Sequence, residues 1–249
     1  MWLIAWREGR ALLATPLLWL TAAVSQFLLA WYFLVLLDRY QLHYLPKLTS
    51  ANSALGVTDL VVVPFMGGMP LLVLLLMVCA VLGMGLIAEE RRRGSLPLLL
   101  SAPVRSLTIV LGKYAAGTAA AMALVTLWWL MPASLAVFTG VDPLRLLLGL
   151  GGLYLLSALF MAVTLLASTV AHNAATAAAG AFAAGVFLLM FSRTSGRPGG
   201  VLDALSATGH LQPLLQGRLS SADVAYFVLA SAVLVALAAL RMQRLRSGP

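Results

Sequence analysis

The chain has 249 residues, of which 62% are hydrophobic and only 10% are charged. Soluble domains carry about 25% charged residues, so this composition excludes an ordinary soluble protein and indicates one that uses the lipid bilayer as its solvent. The net charge of +8 does not indicate nucleic-acid binding, because the basic residues stand at the ends of apolar runs and form no face interleaved with aromatic residues. The sequence therefore predicts a polytopic membrane protein.

Six uncharged apolar runs are long enough to cross a bilayer as helices, which takes about 17–25 residues each. None of them alternates apolar and polar residues as the strands of a membrane barrel do. We therefore predict an all-α fold with six transmembrane helices in a single domain, residues 1–249. The predicted spans are 16–37, 60–88, 107–138, 146–170, 174–191 and 224–241. An interfacial helix at 1–15, a coupling segment at 89–106 and outer half-helices at 192–223 complete the layout.

The segment before the first span has the pattern of a helix lying in the membrane interface. Trp2, Trp6 and Leu13 share one face of a helical wheel, whereas Arg7 and Glu8 lie mostly opposite. The alternative is an ordinary cytoplasmic extension of the first span.

The distribution of basic residues predicts the orientation. Six spans place both termini on the same side. With the N-terminus in the cytoplasm, ten Lys and Arg residues lie in inner segments and six lie in outer ones. Because Lys and Arg concentrate on the cytoplasmic side of short loops, we expect both termini in the cytoplasm.

Two later regions suggest close helix packing. The apolar piece from residue 201 to 215, broken by Gly209 and Pro213, is too apolar to float free in water, so we predict two short helices dipping into the outer leaflet. The fifth span is rich in Ala and Gly. Since small residues let membrane helices approach closely, this span is expected in the bundle interior or at a subunit interface.

The chemistry of an enzyme or an ion-coupled carrier is missing from the sequence. Every Asp, Glu, Lys and Arg is expected at or beyond the end of a span, whereas coupled carriers place ionisable groups within the membrane. No His, Asp or Glu cluster has metal-ligand spacing, and no Ser or Cys has a base in the same span. A P-loop is excluded too, because Gly112-Lys113 is followed by Tyr114 rather than Ser or Thr. We expect no catalytic residue and no metal, and any energy must come from a partner.

Mild polar groups lie deeper in the spans, and most are expected to satisfy neighbouring helices. They are Thr21, Ser25, Gln26, Thr118, Thr126, Ser134, Ser157, Thr164 and Ser168. The amide of Gln26 is the costliest of these to bury unpaired. Gln26, with Ser25 beside it, is therefore the candidate for the substrate path.

Between the second and third spans, residues 89–114 combine charge with exposed leucines. Glu89, Glu90 and Arg91 open the segment, Ser95 can cap a helix start, and a short apolar helix is expected over 96–100. A basic loop that only fixes topology would explain the arginines but not the leucines. Apolar groups facing the cytoplasm suggest a socket on another protein.

This segment resembles the coupling region of ABC type-2 exporter permeases. The matching runs are Ala88-Glu89-Glu90-Arg91, Gly94-Ser95-Leu96, Leu99-Leu100-Ser101-Ala102-Pro103-Val104 and Val110-Leu111-Gly112-Lys113. Ser95 stands where the family usually has Thr, and Arg92 and Pro97 stand where it often has Glu. In the tail, Gly217, Asp223, Tyr226 and Phe227 resemble the gliding-motility-type and nitrous-oxide-reductase-maturation-type branches.

The resemblance implies a transporter of two permease subunits, identical or paralogous, and two ATPase subunits. This chain would be a permease without a cofactor of its own, with ATP and Mg²⁺ bound by the ATPase. The residues implied to dock on the ATPase are Glu89, Glu90, Arg91, Gly94, Ser95, Leu96, Leu99, Leu100 and Pro103. The helix at the N-terminus would flank them, and the first, second and fifth spans would move.

The cargo is not encoded in a motif. A path without fixed charge favours a hydrophobic or amphipathic substrate. The same absence fits an alternative, a mechanotransmitting scaffold that passes ATPase motion to a periplasmic or accessory partner without moving cargo. A channel or an intramembrane enzyme is a third interpretation, which the missing chemistry argues against.

Overall fold

The computed structural model describes residues 2–46, 56–92, 106–194 and 206–247, in which every regular element is helical. The helices are α1 (Trp2–Ala14), α2 (Pro16–Arg39), α3 (Val63–Gly67), α4 (Met69–Gly83), α5 (Gly85–Arg92), α6 (Ser106–Ser134), α7 (Pro143–Val170), α8 (Ala174–Thr194), α9 (Ala207–Leu215) and α10 (Ser221–Ser247). Short π-helical turns at Tyr40–Tyr44 and Thr58–Val62 extend α2 and precede α3.

Five of these helical stretches are long and apolar enough to cross a membrane: Pro16–Tyr44, Thr58–Ala88, Ser106–Val137, Pro143–Val170 and Ser221–Arg244. The apolar part of α8, Ala174–Met190, is shorter. The predicted all-α, polytopic membrane fold is confirmed. The six predicted spans correspond to these five stretches and α8, and whether α8 crosses the full bilayer stays a prediction.

The centre of the bundle is α7. This helix packs against α3, α4, α5, α6, α8, α9 and α10. Its residues Leu153, Leu156 and Phe160 are buried, because neighbouring helices surround it. In contrast, α2 leaves large apolar side chains such as Phe27 and Trp31 exposed. Any change at one end of α7 therefore reaches most of the bundle.

The second span is discontinuous, although its apolar run suggested one helix over residues 60–88. It breaks at Gly68, which has an extended backbone with φ of −71° and ψ of 144°, and again at Met84. At the first break the Tyr32 hydroxyl of α2 donates a hydrogen bond to the carbonyl oxygen of Pro64, over 3.1 Å. A side chain on Gly68 would collide with that carbonyl and with the Tyr32 hydroxyl, so the break depends on glycine.

One of the two expected outer half-helices is described, namely α9. It begins at the N-cap Ser206, whose hydroxyl accepts a hydrogen bond from the amide of Gly209. Leu211 and Leu214 are buried against Gly152 of α7. The packing agrees with the expectation that this apolar piece avoids water. The expected breaks at Gly209 and Pro213 both lie inside the single helix α9, and residues 201–205, the start of the piece, lie outside the described part.

The small residues of α8 divide into two faces. Ala177, Ala181 and Gly185 are buried, and a side chain on Gly185 would run into Leu76 of α4. Ala179 and other small residues on the opposite face are exposed. One face of α8 therefore packs in the bundle interior. The exposed face remains available for the expected subunit interface, which stays a prediction.

Candidate coupling site

At its second break, the second span is repaired by a side chain from another helix. Gly83 and Gly85 flank Met84, and a helix that restarts there leaves its first amide groups without intrahelical partners. The hydroxyl of Ser168 on α7 accepts hydrogen bonds from the amides of Ile87 and Ala88, at 3.1 and 3.0 Å. The same hydroxyl donates to the carbonyl of Met84 at 3.1 Å. Ser168, which is fully buried, therefore caps α5 from outside the α5 helix.

Close packing holds this cap in register. A Cβ atom on Gly83 would lie 2.5 Å from Cγ2 of Thr164, so the missing side chain lets α7 approach the end of α4. A Cβ atom on Gly117 of α6 would lie 2.6 Å from the terminal methyl of Met161, one turn before Thr164 on α7. Both contacts lie within two turns of Ser168, and they leave little room for α5 to slide along α7.

A second link joins α1 to α6. Lys113 is only 2% exposed, and its Nζ lies 3.3 Å from Oε1 of Glu8 on α1. The same carboxylate oxygen accepts a hydrogen bond from the guanidinium of Arg7 at 3.0 Å. A buried ion pair of this kind is destabilised strongly when one partner is removed. We therefore expect α1 and the start of α6 to move together.

These contacts change two expectations about charged residues. Lys113 was expected at the end of its span, but it lies two turns inside α6 and is almost completely buried. Glu8 was placed opposite the apolar face of α1, yet it faces α6, while Trp6 and Leu13 are exposed. The helix predicted before the first span is present, but it packs along α6 on the side that carries Glu8.

Some of the predicted docking residues lie in the described part of the chain and the others lie outside it. Glu89, Glu90 and Arg91 belong to the last turns of α5. The others lie outside the described residues: Gly94, Ser95, Leu96, Leu99, Leu100 and Pro103. The structure does define what flanks them, since α5 before them is capped by α7 and α6 after them is paired with α1. We call α1, α5, the first two turns of α6 and the last turn of α7 the coupling end.

The predicted substrate-path residues lie in the middle of α2. Ser25 is buried and donates a hydrogen bond to the carbonyl of Ala22 at 3.0 Å. The side-chain oxygen of Gln26 is buried and has no hydrogen-bond partner among the described residues. Neither residue lines the cavities between α7, α8 and α10, between α6, α7 and α10, or between α1 and α6. Their role in a substrate path stays a prediction.

The links at the coupling end can pass on a displacement, because they join helices by hydrogen bonds and an ion pair at one end of a central helix. In the part of the chain that the structure describes, no three His, Cys, Asp or Glu residues lie together as metal ligands could.

The apolar helices and their packing define an integral membrane protein whose special feature is the coupling end. The family model described as "ABC-2 family transporter protein" matches residues 2–244. The chain therefore belongs to the ABC-2 transporter family, and it is a membrane-embedded permease subunit of an ABC transporter. No curated protein sequence gives a significant match to it.

Proposed function

We propose that this permease subunit exports a hydrophobic or amphipathic substrate, driven by ATP hydrolysis on a separate ATPase subunit. A second permease, identical or paralogous, completes the membrane part. The coupling end faces the cytoplasm of a bacterial cell, where residues 89–106 contact the ATPase. This orientation follows from the excess of Lys and Arg in the segments on that side.

The observation that carries the proposal is the cap of α5 by Ser168. The last turn of α5 belongs to the proposed docking segment, and three hydrogen bonds join the start of α5 and the preceding Met84 to α7. A push on α5 is therefore delivered to α7, which touches most other helices of the bundle. Without the cap, the interruption next to Gly83 would let α5 pivot and absorb the motion.

The ion pair between Glu8 and Lys113 provides a second route. The docking segment is followed directly by α6, so a displacement of its far end reaches Lys113 within two turns. Through Glu8 the same displacement reaches α1 and, behind α1, the first span. Movement of the docked segment would thus displace α5 together with α7 and α6 together with α1. Such a displacement can separate the two pairs of helices.

The substrate class follows from the charges of the interior. Among the described residues, the buried charged side chains are Lys113 and Asp223. Each has an ionisable neighbour of the complementary kind, Glu8 at 3.3 Å and His210 at 2.6 Å. A pathway lined by apolar groups and neutral polar groups favours a molecule with little charge.

The test is co-purification from the native host in mild detergent. We expect an ATPase subunit and ATP hydrolysis to travel with the wild-type chain, and the double variant Gly94→Pro/Leu99→Asp to release both. The paired variant Ser168→Ala should keep the ATPase bound but reduce ATP-dependent movement of cargo, because only the link beyond the docking segment is cut. If the wild-type chain purifies without any ATPase, the proposal is wrong.

A further inference from the structure

A groove between α1 and α6 has an almost entirely apolar wall. It encloses about 400 Å³, which is within the usual range of small-molecule pockets, about 300–1,000 Å³. On the α6 side its wall includes Ala115, Ala119 and Ala123. These alanines are four residues apart, so they lie on one face of the helix and extend about 12 Å along its axis at about 1.5 Å a residue. The floor of the groove is therefore an elongated strip of methyl groups.

Arg10 of α1 is the one charged residue among the described residues that line this groove. It is exposed, and its guanidinium makes no ion pair or hydrogen bond with the described part of the chain. The nearest carboxylate in the sequence, that of Glu8, is turned to Lys113 and Arg7 instead. The groove therefore combines an apolar floor with an uncompensated positive charge.

Arg7 adds a second guanidinium close to the first. It lies three residues before Arg10, so the two side chains leave neighbouring positions on the surface of α1. The side chain of Arg7 is 66% exposed, and its hydrogen bond to Glu8 uses only one of the five N–H donors of a guanidinium. Guanidinium groups match the geometry of phosphate oxygens, so this pair of arginines suits a phosphate.

Two exposed apolar side chains place these charges at the membrane surface. Trp6, four residues before Arg10, and Leu13 both line the groove, and both are exposed. Tryptophan concentrates at the level of the lipid headgroups. Because residues four apart share one face of a helix, Trp6 and Arg10 meet that level together. The guanidinium of Arg10 is thus within reach of a headgroup, and the strip of alanines is within reach of its acyl chain.

We infer that the groove binds an anionic phospholipid, with its phosphate on Arg10 and Arg7 and one acyl chain along the alanines of α6. Basic pockets between membrane helices bind anionic headgroups in this way. An apolar helix of a second copy would leave the guanidinium of Arg10 without a counter-charge, and the ammonium of a zwitterionic lipid would be repelled by the two arginines. The inference goes beyond the proposed function, because the lipid binds beside the link from α1 to α6 and its binding requires no ATPase.

The test uses the full chain in phosphatidylcholine nanodiscs without an ATPase. The probes are phosphatidylglycerol with a photoreactive diazirine on one acyl chain and phosphatidylcholine with the same chain. We expect saturable labelling of peptides from α1 and from residues 115–123 by the phosphatidylglycerol probe, and weak, non-saturable labelling by the other. Arg10→Gln should raise the half-saturating mole fraction about five-fold, the effect of one arginine at an anionic headgroup. The control Arg241→Gln removes an exposed arginine of α10 outside the groove and should leave that fraction unchanged.

A second pair of variants tests the path of the acyl chain. Gly9 lines the groove, and a Cβ atom added there meets open space. Gly9→Leu therefore blocks the groove without disturbing the packing of α1 and should abolish saturable labelling. The control Ala11→Leu adds the same bulk at an exposed position of α1 outside the groove and should keep it. Equal labelling by the two lipids, or equal effects within either pair of variants, would overturn the inference.

A cysteine in the groove tests whether a second copy of the chain occupies it. Ala119 is exposed, and the native Cys79 is buried, so a disulfide formed by Ala119→Cys reports on the groove. We expect no disulfide between chains in nanodiscs that contain phosphatidylglycerol. A disulfide that excess phosphatidylglycerol does not suppress would identify a second chain as the occupant, and the inference would be wrong.

The two proposals fail independently. A chain that selects phosphatidylglycerol but purifies without an ATPase contradicts the proposed function and supports the lipid site. A chain that carries an ATPase but labels equally with both lipids contradicts only the lipid site.

Discussion

Replacing Ser168 with alanine removes one oxygen atom that serves three backbone groups. The amides of Ile87 and Ala88 lose their acceptor, and the carbonyl of Met84 loses its donor. Both amides would then depend on intrahelical carbonyls across the turn at Met84, where the regular ladder of backbone hydrogen bonds is interrupted. The close approach of Gly83 to Thr164 leaves this turn little room to rearrange, so we expect both amides to be less well protected.

The size of the effect follows from the hydrogen bonds that are lost. A buried donor left unsatisfied costs about 1–3 kcal/mol. At 1.4 kcal/mol for each factor of ten, the amides of Ile87 and Ala88 should exchange with deuterium about 5–150 times faster. Hydrogen exchange of the peptide over residues 84–92, measured by mass spectrometry in nanodiscs, gives this factor directly.

The matched control is Ser157→Ala, the same substitution at an equally buried position of α7. Its hydroxyl bonds only to Tyr154 of its own helix, so exchange over residues 84–92 should stay at the wild-type rate. If Ser168→Ala leaves that exchange unchanged, or if Ser157→Ala raises it equally, Ser168 does not hold α5 and the reasoning for coupling through α7 is refuted.

Three other predictions concern packing, charge and orientation. Glu8→Gln removes the carboxylate beside the buried Lys113 ammonium and should lower the free energy of unfolding by about 1–3 kcal/mol. An unchanged free energy in mixed-micelle unfolding would contradict the pairing. Gly185→Ala should lower the free energy of unfolding by about 1–3 kcal/mol, because the added methyl group overpacks the contact with α4. The control Gly180→Ala places its methyl group in open space and should be neutral or slightly stabilising. Equal effects of the two substitutions would exclude the close contact between α8 and α4. The single native cysteine is buried, so labelling of the variant Arg244→Cys reports on position 244 alone. A membrane-impermeable maleimide should label this variant only in permeabilised cells, because the C-terminal end is expected in the cytoplasm. Labelling of intact cells would contradict this orientation.

The helices themselves were predictable because their signal is local. Long uncharged apolar runs separate the spans, and the helices follow these runs closely, as Pro143–Val170 does for the span expected over 146–170. The helix before the first span also follows from its own composition. Its orientation does not, because the partner of Glu8 lies 105 residues away and no local pattern points to Lys113.

The breaks in the second span and the cap by Ser168 were harder to predict. Gly68 and the Gly83-Met84-Gly85 sequence were local signals of helix interruption. The continuous hydrophobicity of residues 60–88 nevertheless favoured the prediction of one unbroken helix. Most of the polar groups in the spans were expected to satisfy neighbouring helices, and Ser168 does so. The expectation is wrong for the hydroxyls that donate to a carbonyl of their own helix, namely Thr21, Ser25, Ser134, Ser157 and Thr164. A serine hydroxyl can donate to a carbonyl of its own helix or accept from an amide of another helix. The packing of the helices decides which of these hydrogen bonds forms.

The middle piece of the second span, α4, ends in a hydroxyl-bridged joint at each side. Tyr32 of the first span bridges one joint and Ser168 of the fourth span bridges the other. The carbonyls of Pro64 and Met84 each accept a hydrogen bond from a hydroxyl group of another span. A backbone group without a partner is costly in hydrocarbon. The two interruptions of the second span are therefore tolerated only while the first and fourth spans stay beside it.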